Sequence, residues 1–375
     1  MFFTKTPGVG GRIRQRIEDF RVEEIEDAPL HRKVEGGDHT VFWMEKFNWE
    51  TNQALREIAK KLHASDAKFC IAGTKDKRAV TRQRVSVRGI SEEQLKNVKI
   101  RDIRLYGFSK GERVNLGDMR GNRFTITIRD IGLTDEELRV RLEKIGEELK
   151  AGIPNVFGPQ RFGEVRPVTH LVGKEMALGN FEEAVKIYLC KVFKEEPDDS
   201  KEARTFLSKN WGIKERYIEA LDRYPMRLKY ERGMIDYLYK HPNDYAGVLR
   251  RLPAKLRKMF LNALQSWIWN TTVERMKKLP DVLVIPGYDT KSVPKEMKDA
   301  MKKIGVGFRD FESRGMPELS CSGGERATAL SVNDFAAEVG DDELNAGRKK
   351  ATVSFMLPSG SYATVVLKEV MKSKI

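Results

Sequence analysis

The chain has little cysteine or histidine and no long apolar run. Its three cysteines, Cys70, Cys190 and Cys321, lie more than a hundred residues apart. An odd, scattered set with no CxxC excludes a disulfide framework and fits a reducing cytoplasm. The five histidines are scattered too, with no HxxxH or HxE. That leaves no visible metal site and disfavours a zinc deaminase, which needs a His/Cys ligand set. No apolar stretch approaches the roughly 20 residues of a membrane-spanning helix. The leading "MFFTKTPGVGGRIRQRIEDF" has two phenylalanines but no apolar h-region, so it is not expected to be a secretory signal.

Positive charge, by contrast, is abundant. Lys and Arg number 69 against 55 Asp and Glu, a net +14. So basic a chain attracts polyanions at long range, nucleic acid first, and nothing favours a membrane surface. Its 375 residues, 40% of them apolar, can build two or three domains. The segments 20–25, 39–47, 82–90, 102–109 and 122–131 read as strands, with helices predicted over 48–64 and 134–150. Thr51 is the expected N-cap of the first helix, and Thr134-x-x-Glu137 is a capping box for the second. Residues 171–278 read almost entirely as helix. Strand character returns near 326 and again at 351–357, before a last helix. The simplest architecture is one α+β domain interrupted by a mainly helical inserted domain.

Four stretches could carry chemistry. In "AGTKDKRAVTRQRVSV" (72–87), Asp76 is the only acid between Asp66 and Glu92. Lys75, Lys77, Arg78, Arg82, Arg84 and Arg88 surround it. A solvated turn residue is the bland reading. However, "FCIAG" before it and "TRQRVSV" after it both read as strands, and a loop so anchored holds a side chain firmly. A carboxylate ionised at neutral pH, beside cations that grip phosphates, is a nucleophile or base aimed at a nucleotide. A phosphate-loop reading is weaker, because the run lacks GxxxxGK[ST] and Asp76 would repel phosphate. In "IPNVFGPQRFG" (153–163) the bland reading is a loop whose phenylalanines plug the core. The functional one has Phe157 stacking on a base, Asn155 and Gln160 reading polar edges, and Arg161 on a phosphate. In "GGRIRQRIEDF" (10–20), Arg12, Arg14 and Arg16 alternate and would share one face of an extended segment. "CSGGERA" (321–327) could form an anion-binding nest, and "LPSGSYAT" (357–364) a turn that caps the last helix.

Taken together these stretches resemble the TruD family of tRNA pseudouridine synthases, in an archaeal-type form. "AGTKDKRAVT" is similar to the family's catalytic AGxKDxxAxT segment. "NVFGPQRFG" is similar to a second segment that ends in FGxQRFG. "EDFRVEE" and "LPSGSYAT" follow family segments in the family order. The resemblance implies a pseudouridine synthase catalytic domain with a mixed, mainly antiparallel sheet over 1–170 and 319–375. Residues 171–318 would form the inserted, family-specific domain. It also implies isomerisation of a uridine in tRNA, commonly position 13 in the D arm, with no cofactor. Asp76 falls on the catalytic aspartate, and Arg14 where the family usually has a basic residue, often lysine, paired with it. Phe157 falls on the aromatic that packs against the target base and Asn155 on the motif's polar residue. Lys75, Lys77, Arg84, Arg12, Gln160 and Arg161 complete the expected RNA contacts.

Two rivals compete with this expectation. A non-catalytic basic RNA-binding protein would use the same charge, yet gains nothing from a carboxylate at the centre of its basic surface. A methyltransferase would want a Gly-rich cofactor loop after an early strand, and none is convincing.

Overall fold

Period-two alternation in the first 131 residues builds one side of a large sheet. In the computed structural model, which describes residues 2–26, 37–313 and 315–373, the chain divides into two compact units. The first comprises 1–154 and 330–375, the second 155–329. The sequence placed the boundaries at 170/171 and 318/319. The difference has a local cause: residues 155–162 bond to the helix Ala254–Val273 and to residues 326–328, which keeps the FG segment in the second unit.

The first unit contains strands β1 (Phe20–Ile25), β2 (His39–Phe47), β3 (Phe69–Ile71), β4 (Val80–Arg88), β5 (Ile103–Gly111) and β6 (Gly121–Ile131). Strands Asn333–Asp341 and Lys349–Pro358 complete an eight-stranded sheet. From one edge the order is Asn333–Asp341, Lys349–Pro358, β6, β1, β4, β2, β5, with β3 on β4. Among the described residues only β1 and β4 run parallel; the other pairings within this sheet are antiparallel. The sheet is therefore mixed and mainly antiparallel, as the resemblance implied.

Helix α1 (Thr51–Lys61) packs Leu55 and Ile58 against Phe42, Met44, Val85 and Val87. Its cap is Glu50 rather than Thr51, because the Glu50 carboxylate accepts from the Asn52 and Gln53 amides. The Thr51 hydroxyl is used elsewhere. After the short helix α2 (Glu92–Lys96), helix α3 (Asp135–Lys150) opens on the expected Thr134–Glu137 box. It buries Leu138, Leu142, Ile145 and Leu149 on one stripe.

The second unit is mainly helical. Its longest helix among the described residues, Ala254–Val273, buries Phe260, Leu261, Ile268 and Trp269, so its C-terminal part runs through the core of the unit. A fully buried Arg204 bonds Glu196 at 2.8 Å, Glu231 at 3.0 Å and the Leu189 carbonyl at 2.8 Å, so its charge is paired within the unit. Residues 321–327, which could have formed an anion nest, are used otherwise. Residues Gly324–Ala327 make a strand against Val282–Ile285, and the Gly323 amide donates to Asp289 at 2.7 Å. A carboxylate already occupies that donor.

Candidate active site

The Asp76 loop joins β3 to β4, and buried side chains tie its backbone down. Gln83 Nε2 donates to the Gly73 carbonyl at 2.9 Å. The Thr51 hydroxyl accepts from the Lys75 amide at 3.0 Å and lies 3.2 Å from the Lys75 carbonyl. Lys46 Nζ donates to the Asp76 carbonyl at 2.8 Å and to the Trp49 carbonyl at 2.7 Å. Burial pushes the Lys46 ammonium down from 10.5 to about 8, against the pull of Asp76 and Glu50 and with some help from Lys75.

The Asp76 carboxylate itself stays 43% exposed and lies 3.7 Å from Arg14 Nη2. Arg14 is unusual on three counts. Its backbone has φ 60°, a left-handed conformation that costs a non-glycine residue about 1–3 kcal/mol. Its guanidinium carbon sits 4.4 Å from the Phe20 ring centre. Its Nε and Nη2 are buried without a hydrogen-bond partner among the described residues. The Arg14 carbonyl accepts from Arg78 at 2.7 Å, which fastens the arginine segment to the loop. The structure thus brings Asp76 and Arg14 together as expected.

It corrects the arginine stripe. The left-handed turn at Arg14 breaks the extended alternation, so the three arginines part. Arg12 is exposed and faces Asp130 at 3.4 Å, Arg14 faces Asp76, and Arg16 faces Glu343 at 3.5 Å.

It also corrects two of the expected phosphate contacts. Lys75 is buried and donates to buried Glu24 at 2.7 Å. Arg84 is buried as well, 3.1 Å from Glu26, with its amide on Glu24, and burial lowers its pKa. Both cations are spent inside the fold. Lys77 and Arg12 remain exposed. Arg82 lies over the Trp43 ring at 4.0 Å, on a strand pair where Gly107, at φ +64°, makes room for the indole.

The other predicted residues, Asn155, Phe157, Gln160 and Arg161, belong to the second unit. Phe157 is 9% exposed and meets Trp269 edge-on at 5.7 Å. Its amide donates to Asn270 Oδ1 and its carbonyl accepts from Asn270 Nδ2, both at 2.9 Å. The Arg326 guanidinium covers the ring at 4.1 Å. The Asn155 side chain is committed at both ends, donating to the Ala327 carbonyl at 3.1 Å and accepting from Arg326 at 2.7 Å. It is therefore first a structural amide, not a free reader of polar edges. Gln160 is exposed, and Arg161 donates to Ser266 at 3.0 Å.

Sequence reasoning missed Glu24, Lys46, Thr51, Gln83 and Arg326 as parts of these sites. A lysine inside the apolar strand "HTVFWMEKF" was the one available signal. Arg326 gave none, since its partner Asn155 is 171 positions away. Among the described residues no group of three or more His, Cys, Asp or Glu could hold a metal. Among them, too, no helix is long and apolar enough to cross a membrane.

Fold and site together define an α+β protein with an exposed carboxylate set among cations on a firmly held loop. Comparison with known proteins names the family. The model of the family described as tRNA pseudouridine synthase D (TruD) matches residues 1–281 and 274–370. A Methanosarcina mazei relative bearing that name is 36% identical, covering 99% of this chain and 95% of its own. One from Methanopyrus kandleri is 38% identical over 90% and 86% of the two chains. The structure is similar to a Methanosarcina mazei crystal structure described as a TruD, with TM-score 0.80 and 35% identity, covering 100% and 96% of the two chains. The chain belongs to the TruD family of tRNA pseudouridine synthases.

Proposed function

We propose that this protein isomerises a uridine in tRNA to pseudouridine, with Asp76 as its catalytic aspartate. The N-glycosidic bond is broken and the base rejoined to the sugar through carbon, so the product has the atoms of the substrate. The observation that carries the assignment is the pairing of a half-exposed Asp76 carboxylate with a strained Arg14, on a loop whose backbone is bonded at 73, 75 and 76. Arg14 brings a positive charge to 3.7 Å of the carboxylate without a direct hydrogen bond, which leaves the oxygens available to a substrate. Attack on the sugar, attack on the base and removal of a sugar proton could each use such a carboxylate.

A uridine inside a stack is out of reach of a side chain, so the target base must leave the stack. From its place in the FG segment, Phe157 is assigned to an RNA base. Exposed Arg12, Lys77 and Gln160, with Arg161, are assigned to the RNA, while Lys75, Arg84 and Asn155 act as internal supports. The first unit serves as the catalytic domain and the second as the family-specific insertion. The target is uridine 13 of the D arm, and the enzyme works in the cytoplasm.

The test is incubation of wild type and Asp76→Asn with uridine-containing tRNA transcripts, followed by position-resolved pseudouridine mapping. Wild type is expected to modify one D-arm uridine, at position 13. The Asn variant should form no pseudouridine yet bind tRNA at least as well, since a negative charge has left a basic face. Turnover by the variant within tenfold of wild type overturns the role of Asp76. Wild type that binds but never modifies tRNA favours the non-catalytic reading.

A further inference from the structure

Lys46 is fully buried, and its ammonium is held by two carbonyls rather than by a carboxylate. Burying an ammonium is costly, and a methionine would fill the same space without that cost. The charge therefore needs a use, and one of its two bonds goes to the carbonyl of Asp76. Two other fully buried polar side chains serve the same loop: Gln83 at the Gly73 carbonyl and Thr51 at both backbone groups of Lys75. The three come from β2, β4 and the first residue of α1, so each element of this core reaches the loop once. None has a hydrogen bond to the Asp76 carboxylate. What they hold is the backbone that aims it.

We propose that Lys46 is the positioning residue of Asp76, and that Thr51 and Gln83 complete its brace. The proposal rests on the reading of Asp76 as the catalytic aspartate. A displacement of about 1 Å in a reacting group can cost about a hundredfold in rate. Release of the Asp76 carbonyl would allow such a displacement. RNA binding through exposed cations should not sense it.

The test measures three quantities for Lys46→Met, which keeps an unbranched side chain one atom shorter and removes the donor. They are the single-turnover rate at saturating enzyme, the tRNA dissociation constant and the melting temperature. The rate is expected to fall by about 30-fold or more, with affinity within about threefold of wild type and melting nearly unchanged. A rate within about threefold of wild type overturns the proposal, as does a parallel loss of rate, affinity and melting temperature. If Lys46→Met does not fold, Thr51→Val decides by the same criteria, with a loss of about tenfold expected. Asp76→Asn, run beside them, separates the two ideas. An active Asn variant removes the catalytic reading itself. An inactive Asn variant beside a fully active Lys46→Met removes only the brace.

Discussion

Lys75 and Asp76 are neighbours with opposite fates. Asp76 points to solvent, whereas Lys75 turns inward to Glu24. Lys75→Met would leave the Glu24 carboxylate buried with, among the described residues, only the Arg84 amide as donor. Breaking a buried pair in this way costs about 3–5 kcal/mol. Denaturant unfolding should show that loss, while the salt dependence of tRNA binding stays as in wild type. A changed salt dependence at unchanged stability would return Lys75 to the RNA surface. Lys46 offers a second measurement. Its ammonium loses its proton at about 8 in the folded chain, against 10.5 ordinarily. Between those values the unfolded chain holds the extra proton, so this group's contribution to stability rises with pH across that window. Below pH 8 both states are protonated and the burial cost is constant. The stability difference between wild type and Lys46→Met should therefore be flat up to about pH 8 and move in favour of wild type from there towards pH 10. A difference that stays flat to pH 10 would show that Lys46 keeps its proton in the folded chain.

At the scale of elements, the sequence was informative wherever one face was buried and the other wet. "FRVEEI", buried at every second residue, was read as β1 with its observed limits, and β2, buried along nearly its whole length, was read with its limits from the apolar run "HTVFWMEKF". The Leu138, Leu142, Ile145 and Leu149 stripe gave α3, and a local capping box marked its start. The strand Asn333–Asp341 went unread, because "NDFAAEVGD" has little apolar character and its pairing is irregular between Asn333 and Ala336. Strand β4 carries Arg82, Arg84 and Arg88 on one of its faces. In the sheet it lies between β1 and β2, so Arg84 is covered and its charge met by Glu26. Asp76 was legible because it stands alone among cations between two strands. The brace was not, since Lys46, Thr51 and Gln83 meet the loop only once β2, β4 and α1 are packed. The arginine stripe failed for a local reason, since one left-handed residue is enough to undo a period of two.

At the scale of the whole molecule, the count of 69 Lys and Arg overstates how many cations RNA can contact. Several cations are committed inside the fold: Lys75 to Glu24, Arg84 to Glu26, Arg129 to Asp19 and Asp342, and Arg204 to Glu196 and Glu231. Phosphate contacts must come from exposed groups such as Arg12, whose side chain is 73% exposed, and Lys77. If about five phosphates are neutralised, the slope of log affinity against log salt should be roughly −3 to −5. Arg12→Ala removes one exposed charge and should make that slope shallower by up to about one. Arg84→Ala removes a charge already neutralised at 3.1 Å by Glu26, so it should lower stability and leave the slope alone. Titrations of tRNA binding at several salt concentrations, with denaturant unfolding of both variants, separate the two kinds of arginine. Equal changes of slope in Arg12→Ala and Arg84→Ala would mean that Arg84 leaves its partner for the RNA. The buried pairs would then act as a store of charge that binding draws upon, and the composition would after all be the better guide to affinity.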